Sequence, residues 1–275
     1  MPLEISRLSG AIGAEITGVD LACATDAEIA EIRRIWLDHN VIFFRDQPLP
    51  PAEFLALAQR FGTPIEYPFV KGIEGFAQII PVLKLPHERV NFGGIWHSDT
   101  TYLEQPPSAT MLVAREVPSH GGDTLFANMY LAYETLSDGM KKLLEGLRFI
   151  SSSAKADVSR TREDRIKDSA RPEAKQLYEA THPVIRTHPE TGRRALYVNN
   201  AHALRFENMT PEESAPLLDY LCQHATRPEF TCRFRWTPGA LALWDNRCTL
   251  HNPINDYHGQ LRSMHRITLA GDRPA

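Results

Sequence analysis

The sequence predicts a mostly β protein, an antiparallel sandwich or barrel with helical decoration. Short runs rich in β-branched and aromatic residues dominate the chain from about residue 78 onward. Twenty prolines and sixteen glycines supply the turns that many short strands need. The chain has 275 residues, and all-β domains commonly reach about 200–250 residues. We therefore expect a single domain over residues 1–275.

The amino-terminal part predicts two helices separated by a strand. Thr25 and Glu28 have the spacing of a capping box, and the apolar residues that follow, as far as Trp36, share one helical face. The run Val41–Arg45 predicts a short buried strand. Pro50-Pro51 then opens the second helix, because proline is well suited to the first helical turn.

The remaining strands are indicated by short apolar runs between turn residues. One of them alternates apolar and polar side chains, as a half-buried strand does. Two further helices are predicted, over Asn128–Gly146 and after Thr210. The predicted strands are Gln78–Leu83, Ala109–Ala114, Leu147–Ser152, Pro183–Arg186, Ala195–Val198, Phe230–Trp236, Ala240–Trp244 and Met264–Ala270.

The segment 155–175 differs from the rest of the chain in its charge. Twelve of its twenty-one residues are charged and few are large and apolar. Such a composition is typical of a solvated surface insertion, and some insertions of this kind act as lids over a site. We expect a charged insertion here, either a plain surface loop or a lid.

Composition and charge exclude several classes of protein. The net charge of −4 does not indicate a basic nucleic-acid surface at the level of the whole chain. No apolar run reaches the roughly 18 residues that cross a bilayer, and the first ten residues lack the pattern of a secretory signal. The four cysteines form no C-x-x-C pair. We therefore expect a cytoplasmic protein that binds neither nucleic acid nor membrane.

One spacing predicts a metal site. His97 and Asp99 stand two residues apart, and on a strand such residues point to the same face. A third ligand must come from elsewhere, and His251 is the best candidate because it follows a predicted strand. Imidazole and carboxylate donors together suit Fe(II), Mn(II) or Zn(II), and two His with one carboxylate form the facial triad of non-haem Fe(II) oxygenases.

Two arginines and a threonine could bind anions near this metal. Arg262 and Arg266 are four residues apart, so on a strand they share a face, and their apolar neighbours indicate a buried segment. A buried guanidinium needs an anion, which it can clamp with paired hydrogen bonds. Thr124 ends a glycine-rich turn and offers a hydroxyl donor.

The residues alone leave two other interpretations open. A zinc hydrolase could use the same three ligands with a water, although it gives no reason for the Thr124 and Arg262 pair. A non-catalytic metal-binding β-sandwich is the second alternative. An H-x-D spacing can also arise by chance in a chain with eleven histidines and thirty-four acids.

Several blocks resemble the taurine dioxygenase / 2,4-D dioxygenase family of Fe(II)- and 2-oxoglutarate-dependent dioxygenases. The resemblance covers nearly the whole chain, and the blocks occur in the family's order. They comprise Gly13–Leu21, Phe43–Gln47, Arg60-Phe61-Gly62, Trp96-His97-Ser98-Asp99, Pro106-Pro107, Pro118–Thr124, Trp244-Asp245-Asn246-Arg247, His251 and Arg262–Arg266.

The resemblance implies a double-stranded β-helix, or jelly roll, and an enzyme that uses Fe(II), 2-oxoglutarate and O2. It implies that His97, Asp99 and His251 bind iron and carry the catalysis, while Thr124 and Arg262 bind 2-oxoglutarate. Arg266 matches the family position that meets the acidic end of the substrate. The expected reaction hydroxylates a small organic acid and releases succinate and CO2.

The prospective substrate pocket departs from the pattern of taurine dioxygenase. Tyr67 stands where that enzyme has a sulfonate-binding histidine, and the residues before His97, among them Asn91, also differ. We expect Tyr67, Asn91 and Tyr102 to line the pocket with Arg266. The candidate substrates are a sulfonate, a sulfate ester, an aryloxyalkanoate or a related carboxylate, and taurine itself is the alternative.

Further expectations concern the partners of the protein and four of its other histidines. The partner is a small anionic molecule, and the protein is expected to be a homo-oligomer, a dimer or a tetramer. The histidines His120, His182, His188 and His258 are predicted to be loop or surface residues.

Overall fold

A computed structural model describes residues 3–91, 93–156 and 176–275. Most of its regular structure is β-strand, as the sequence predicts. The expected charged insertion lies, apart from its first two residues, outside the described residues. The strands are β1 (Glu4–Arg7), β2 (Ala14–Thr17), β3 (Val41–Phe44), β4 (Pro64–Ile65), β5 (Ile80–Lys84), β6 (Ala109–Glu116), β7 (Thr124–Asn128), β8 (Arg148–Ser152), β9 (Glu179–Pro183), β10 (Ile185–Thr187), β11 (Arg194–Leu196), β12 (Ala203–Phe206), β13 (Thr231–Phe234), β14 (Leu241–Asp245), β15 (Thr249–Pro253) and β16 (Arg262–Leu269).

The helices are short and surround the sheets. The amino-terminal pair forms where the sequence predicts it, and the capping box of Thr25 with Glu28 is present. None in the described part of the chain is long and apolar enough to span a membrane. They are α1 (Asp26–His39), α2 (Pro51–Gln59), α3 (Met129–Glu134), α4 (Asp138–Leu144), α5 (Ser153–Ala156) and α6 (Pro211–Ala225), with a 3₁₀ turn over Pro228–Phe230.

A large sheet carries half of the prospective site. Its strand order is β1-β2-β3-β14-β6-β16-β4, and β5 pairs with β16. Helices α1 and α2 cover one face, where Ile32, Trp36 and Phe54 are buried against strand residues such as Met111 and Ile267. This apolar layer fixes β14, β6 and β16, and β16 carries both predicted arginines.

A smaller sheet faces the other side of the large one. It has the antiparallel order β13-β7-β15. The two sheets share a core in which the rings of Phe43 and Phe234 stack with centroids 4.0 Å apart, and Phe126 packs edge-on against Trp244. Because β7 carries Thr124 and β15 carries His251, the gap between the sheets gathers predicted site residues from both.

A third cluster of strands and helices completes the described chain. The three-stranded sheet β12-β8-β9 and the hairpin β10-β11 pack with α3 and α6 around Phe149, Val198, Phe206 and Leu221. This layer lies beside the site and supplies part of its wall through the residues that follow β11.

Some predicted elements are wrong in extent. Asn128–Gly146 is two helices and not one, because Ser137 caps α4 with a hydrogen bond from the Met140 amide and so starts a new helix. The predicted strand Pro183–Arg186 is divided between β9 and β10. The run Phe230–Trp236 begins in the 3₁₀ turn and is a strand only over β13.

Two of the four histidines predicted to be loop or surface residues are buried. His182 lies in β9 and His188 directly follows β10, each with 1% of its surface exposed. His182 bonds the carbonyl oxygens of Thr101 and Leu103, and His188 bonds the Asp245 carboxylate, so both serve the core. These partners are distant along the chain, and no local pattern indicates them.

Candidate active site

The structure brings the three predicted metal ligands together. Donor atoms of His97, Asp99 and His251 all lie within 4.8 Å of one another, and all three residues are buried. His251 is on β15, and its backbone exchanges two hydrogen bonds with that of His97, at 3.0 and 2.8 Å. The expected strand around His97 is wrong, because its pairing stops at this single bridge and Asp99 follows in a turn.

The two imidazoles are held as neutral ligands. The Nδ1 of His97 is 2.7 Å from the Ile95 carbonyl oxygen, so this nitrogen carries the proton and Nε2 offers a lone pair. That Nε2 lies 3.8 Å from Oδ1 of Asp99. Burial lowers the pKa of both His97 and His251, and the attraction of Asp99 only partly opposes it. Neutral imidazole is the form that binds a metal.

Asp99 is kept ionised by its neighbours. Burial alone would raise the pKa of this carboxyl, but the Arg266 guanidinium and the Thr110 hydroxyl hold it well below its usual range. Thr110 donates to Oδ2 at 2.6 Å, and Nη1 of Arg266 donates to Oδ1 at 3.2 Å. The carboxylate is therefore anionic and fixed in orientation.

These donors fit a divalent transition metal. Two neutral imidazole nitrogens and one carboxylate oxygen leave room for further ligands, and that donor set suits Fe(II). Nδ1 of His251 is buried and has no hydrogen-bond partner among the described residues. A buried polar atom without a partner costs free energy unless a bound ion or water contacts it.

A second cluster of donors is engaged otherwise. The carboxylate of Asp245 already accepts from Arg247 at 2.6 and 2.8 Å and contacts His188 at 3.0 Å. Its neighbour Cys248 has a raised pKa, because burial and the Asp245 charge disfavour the thiolate. The cluster is therefore a buried ionic network within the fold.

Thr124 and Arg262 line one small cavity together with His97 and His251. Nε of Arg262 donates to the Gly122 carbonyl oxygen at 3.2 Å, whereas its buried Nη2 has no hydrogen-bond partner among the described residues. Burial lowers the pKa of Arg262, and the opposing charges nearby do not offset it. Such a guanidinium lacks an anion, and a carboxylate beside the metal would supply one.

A larger cavity of about 300 Å³ lies beside the predicted metal ligands and shares His97 and Arg266 with the smaller one. It contains each predicted substrate residue. Tyr67 and Tyr102 are buried in its wall, and the Arg266 guanidinium lies 4.7 Å from the Tyr67 ring centroid. The lining residues are Tyr67, Val90, Asn91, Gly93, Gly94, Ile95, His97, Asp99, Thr100, Tyr102, Ala201, His202, Asn255 and Arg266.

The wall of this cavity combines fixed polar groups with apolar surface. Burial and the neighbouring Tyr67 hydroxyl raise the pKa of Tyr102, so its hydroxyl stays neutral. Asn91 is held by its Nδ2, which donates to the Pro253 carbonyl oxygen at 2.8 Å. Val90 and Ile95 are about half exposed, at 52% and 50%, and give the mouth an apolar surface.

Sequence reasoning missed His202 and Thr110. His202 lines the cavity, its Nδ1 lies 2.9 Å from the Thr101 hydroxyl, and burial lowers its pKa to about 3. Neither residue stands in a motif of its own. The first six residues of β6 are all buried, so its pattern does not single out Thr110, and only the fold shows that this side chain meets Asp99.

Comparisons with known proteins agree with this geometry. The model of the family described as "Taurine catabolism dioxygenase TauD, TfdA family" matches residues 4–268. An alkylsulfatase of Acinetobacter baylyi is 34% identical over 98% of this chain and 86% of that protein. An alpha-ketoglutarate-dependent sulfate ester dioxygenase of Pseudomonas putida is 34% identical over 100% of this chain and 91% of that protein. A taurine dioxygenase structure from Burkholderia xenovorans has a TM-score of 0.84 and 36% identity, over 99% of this chain and 92% of that one.

The family match spans almost the whole chain and includes every residue of the site described above. The chain therefore belongs to the taurine catabolism dioxygenase TauD, TfdA family, a family of alpha-ketoglutarate-dependent dioxygenases.

Proposed function

We propose that this protein is an Fe(II)- and 2-oxoglutarate-dependent dioxygenase that hydroxylates a small organic anion and releases succinate and CO2. The observation that carries the proposal is the convergence of His97, Asp99 and His251 between two buried arginines. A zinc hydrolase needs the three ligands but has no use for a second, carboxylate-sized anion site at Arg262.

In this proposal His97, Asp99 and His251 hold the iron, and the protein supplies orientation and charge. When bound, the iron couples the oxidative decarboxylation of 2-oxoglutarate to hydroxylation of a substrate C–H bond. Thr124 and Arg262 bind the distal carboxylate of 2-oxoglutarate, which places its keto end toward the metal ligands. The fixed anchors matter because misplacement of a reacting atom by about 1 Å is costly in rate.

Arg266 binds the anionic group of the substrate. Its guanidinium lies against Asp99 and Tyr67 and lines the 300 Å³ cavity. A substrate anion held there would place its neighbouring carbon close to the metal. Hydroxylation of a carbon that bears a sulfate ester, sulfonate or aryloxy oxygen gives a product that falls apart, which would release that group.

The cavity favours an anion with an apolar tail over taurine. Among the described residues, Asp99 is the sole acid in its lining, and that carboxylate is already engaged by Thr110 and Arg266. The ammonium group of taurine would therefore find no free carboxylate, whereas Val90 and Ile95 would contact an alkyl or aryl tail.

The two facing sheets support a finer description of the fold. The large sheet and β13-β7-β15 share the core around Phe43 and Phe234 and enclose the site between them. We propose a double-stranded β-helix, or jelly roll, that forms one domain over residues 1–275. We also propose that the protein is a homo-oligomer, a dimer or a tetramer.

A substrate panel tests the proposed function. The purified protein with Fe(II), 2-oxoglutarate and O2 would be given hexyl sulfate, hexanesulfonate, phenoxyacetate or taurine, and succinate would be measured. We expect succinate that depends on Fe(II), O2 and an organic anion with an apolar tail, and little with taurine. Product formation without O2 would indicate a hydrolase and refute the proposal.

Arg266→Ala tests the assignment of the substrate anion. The variant should need about tenfold or more of the organic anion to reach half its maximal rate, because a charge-assisted contact is lost. Its requirement for the keto acid should rise much less, because Arg262 and Thr124 are intact and Arg266 is only a further member of that cavity's wall and a contact of Asp99. A variant that saturates with the organic anion as the wild type does would contradict this role.

A further inference from the structure

We propose that Trp236 is a positioning residue that fixes the hydrogen-bond polarity of Thr124. In this role it selects 2-oxo acids whose far end is an anion. The inference rests on the proposed function, since it concerns the 2-oxoglutarate site.

The geometry around Trp236 is specific. Its side chain is buried, with 5% of its surface exposed, in the link between β13 and β14. The indole Nε1 donates to Oγ1 of Thr124 at 3.0 Å. The ring also packs edge-on against Phe234, with centroids 5.0 Å apart, and this contact fixes the ring plane.

The chemistry of the indole decides the direction of this hydrogen bond. An indole N–H can only donate, whereas a threonine hydroxyl can donate one proton and accept two. Thr124 must therefore be the acceptor, and its own proton remains available for another partner. Because Thr124 lines the cavity beside Arg262, that proton is offered to an acceptor bound there.

The indole of Trp236 is also close to Arg262. The Arg262 guanidinium carbon lies 5.8 Å from the Trp236 ring centroid, within the range of cation–π attraction. The Gly122 carbonyl oxygen accepts from Nε of Arg262, and Nη2 is left without a partner among the described residues. Trp236 thus contacts both groups that would bind a distal carboxylate, and leaves both as donors.

The loss of the indole N–H has a defined consequence. In Trp236→Phe, the Thr124 hydroxyl is free to turn, and it no longer presents its proton in one fixed direction. A carboxylate would lose one charge-assisted hydrogen bond in part, an effect on the order of tenfold in affinity. A ligand with an uncharged far end would lose almost nothing.

Calorimetric binding to the manganese(II)-loaded protein tests this without turnover. The two probes are 2-oxoglutarate and 2-oxovalerate, in which a methyl group replaces the distal carboxylate. Trp236→Phe should weaken the binding of 2-oxoglutarate about tenfold and change the affinity for 2-oxovalerate less than twofold. In a Thr124→Val background, the Trp236→Phe change should have little further effect, because the two residues act as one unit.

The matched control is Trp36→Phe. Trp36 is equally buried in α1, and its Nε1 has no hydrogen-bond partner among the described residues. This variant should bind both keto acids as the wild type does. A melting curve would show whether Trp236→Phe folds. If it does not, Trp236→Tyr replaces it in the test, since this variant also lacks the indole N–H and keeps an aromatic ring.

Three outcomes are informative. Equal binding of 2-oxoglutarate by the wild type and Trp236→Phe would overturn the inference. An equal loss for both keto acids would also overturn it, because it would show a packing role. Absence of 2-oxoglutarate binding in the wild type would instead refute the proposed function.

Discussion

At the scale of single residues, the site depends on the direction of each hydrogen bond. The indole Nε1 of Trp244 donates to Oδ1 of Asn246, whose Nδ2 donates to Thr110, and the Thr110 hydroxyl donates to Asp99. Each group uses the one polarity left to it, so this series of hydrogen bonds ends in a proton directed at the Asp99 carboxylate, a predicted metal ligand. Loss of such an outer partner typically weakens metal affinity about 10- to 100-fold.

Thr110→Val tests this chain at its last link. Valine has nearly the same shape, but it removes the donor to Asp99 and leaves the Asn246 amide unpaired. We expect a tenfold to hundredfold weaker affinity for Mn(II), on the order seen for such partners, measured by competition with a chelator. Thr268→Val is the control, since Thr268 is the cross-strand neighbour of Thr110 and is also buried. Equal affinities in all three proteins would contradict the role of Thr110.

The convergence of His97, Asp99 and His251 could be predicted from the sequence, and the cavity wall only in part. His97 and Asp99 stand close together in the chain, and His251 was indicated by its place after a predicted strand and then by the family resemblance. Tyr67 and Tyr102 were predicted and do line the cavity. His202 was missed because its partners are His97 and Tyr102, about 100 positions away, and no local pattern marks such a contact.

At the scale of elements, the segment before His97 is constrained by its close contact with the His97 ring. Gly93 has φ of +72°, and a Cβ built there would lie 2.8 Å from Cε1 and 3.1 Å from Nε2 of His97. The backbone thus passes directly over the imidazole of this predicted metal ligand, and only glycine leaves room for it. The H-x-D spacing is not on a strand, because pairing is limited to the single bridge at His97 and the chain turns at Thr100, which has φ of +44°.

Gly93→Ala should therefore displace His97. Gly192→Ala is a matched control, because Gly192 has φ of +69° and nothing within 4 Å of its Cβ position. Both variants should lose about 1 kcal/mol of stability through backbone strain. Only Gly93→Ala should also weaken Mn(II) binding, about tenfold or more. If the two variants bind Mn(II) alike, the segment does not constrain His97.

Element types were more predictable than element ends. The amphipathic pattern of α1 and its capping box specify a helix locally, and that helix is confirmed. The break between α3 and α4 arises because each helix has its own N-cap, Asn128 for the first and Ser137 for the second. A prediction from the spacing of apolar residues gives one continuous helix, because that spacing carries no information about the caps.

At the scale of the whole molecule, buried neutral histidines couple stability to pH. His182 in β9 and His202 just before β12 belong to the same layer beside the site and both contact Thr101, and burial lowers their pKa values to about 4 and about 3. In each case the unfolded chain binds a proton at a higher pH than the folded one does. Stability is therefore lost as pH falls from about 6.5 toward these values. At neutral pH these imidazoles stabilise the fold, because they form hydrogen bonds with buried carbonyl and hydroxyl groups.

His182→Gln should remove part of this acid sensitivity. The glutamine amide can donate to the Thr101 and Leu103 carbonyl oxygens as the imidazole does, but it does not take up a proton. Between about pH 7 and about pH 4, the variant should gain about 3 kcal/mol relative to the wild type, since 1 unit of pKa corresponds to about 1.4 kcal/mol. Urea unfolding at both pH values measures this, with the exposed His120→Gln as control. A difference between variant and wild type that stays constant with pH would show that His182 takes up its proton equally in the folded protein, because only a histidine that gains its proton on unfolding produces the slope.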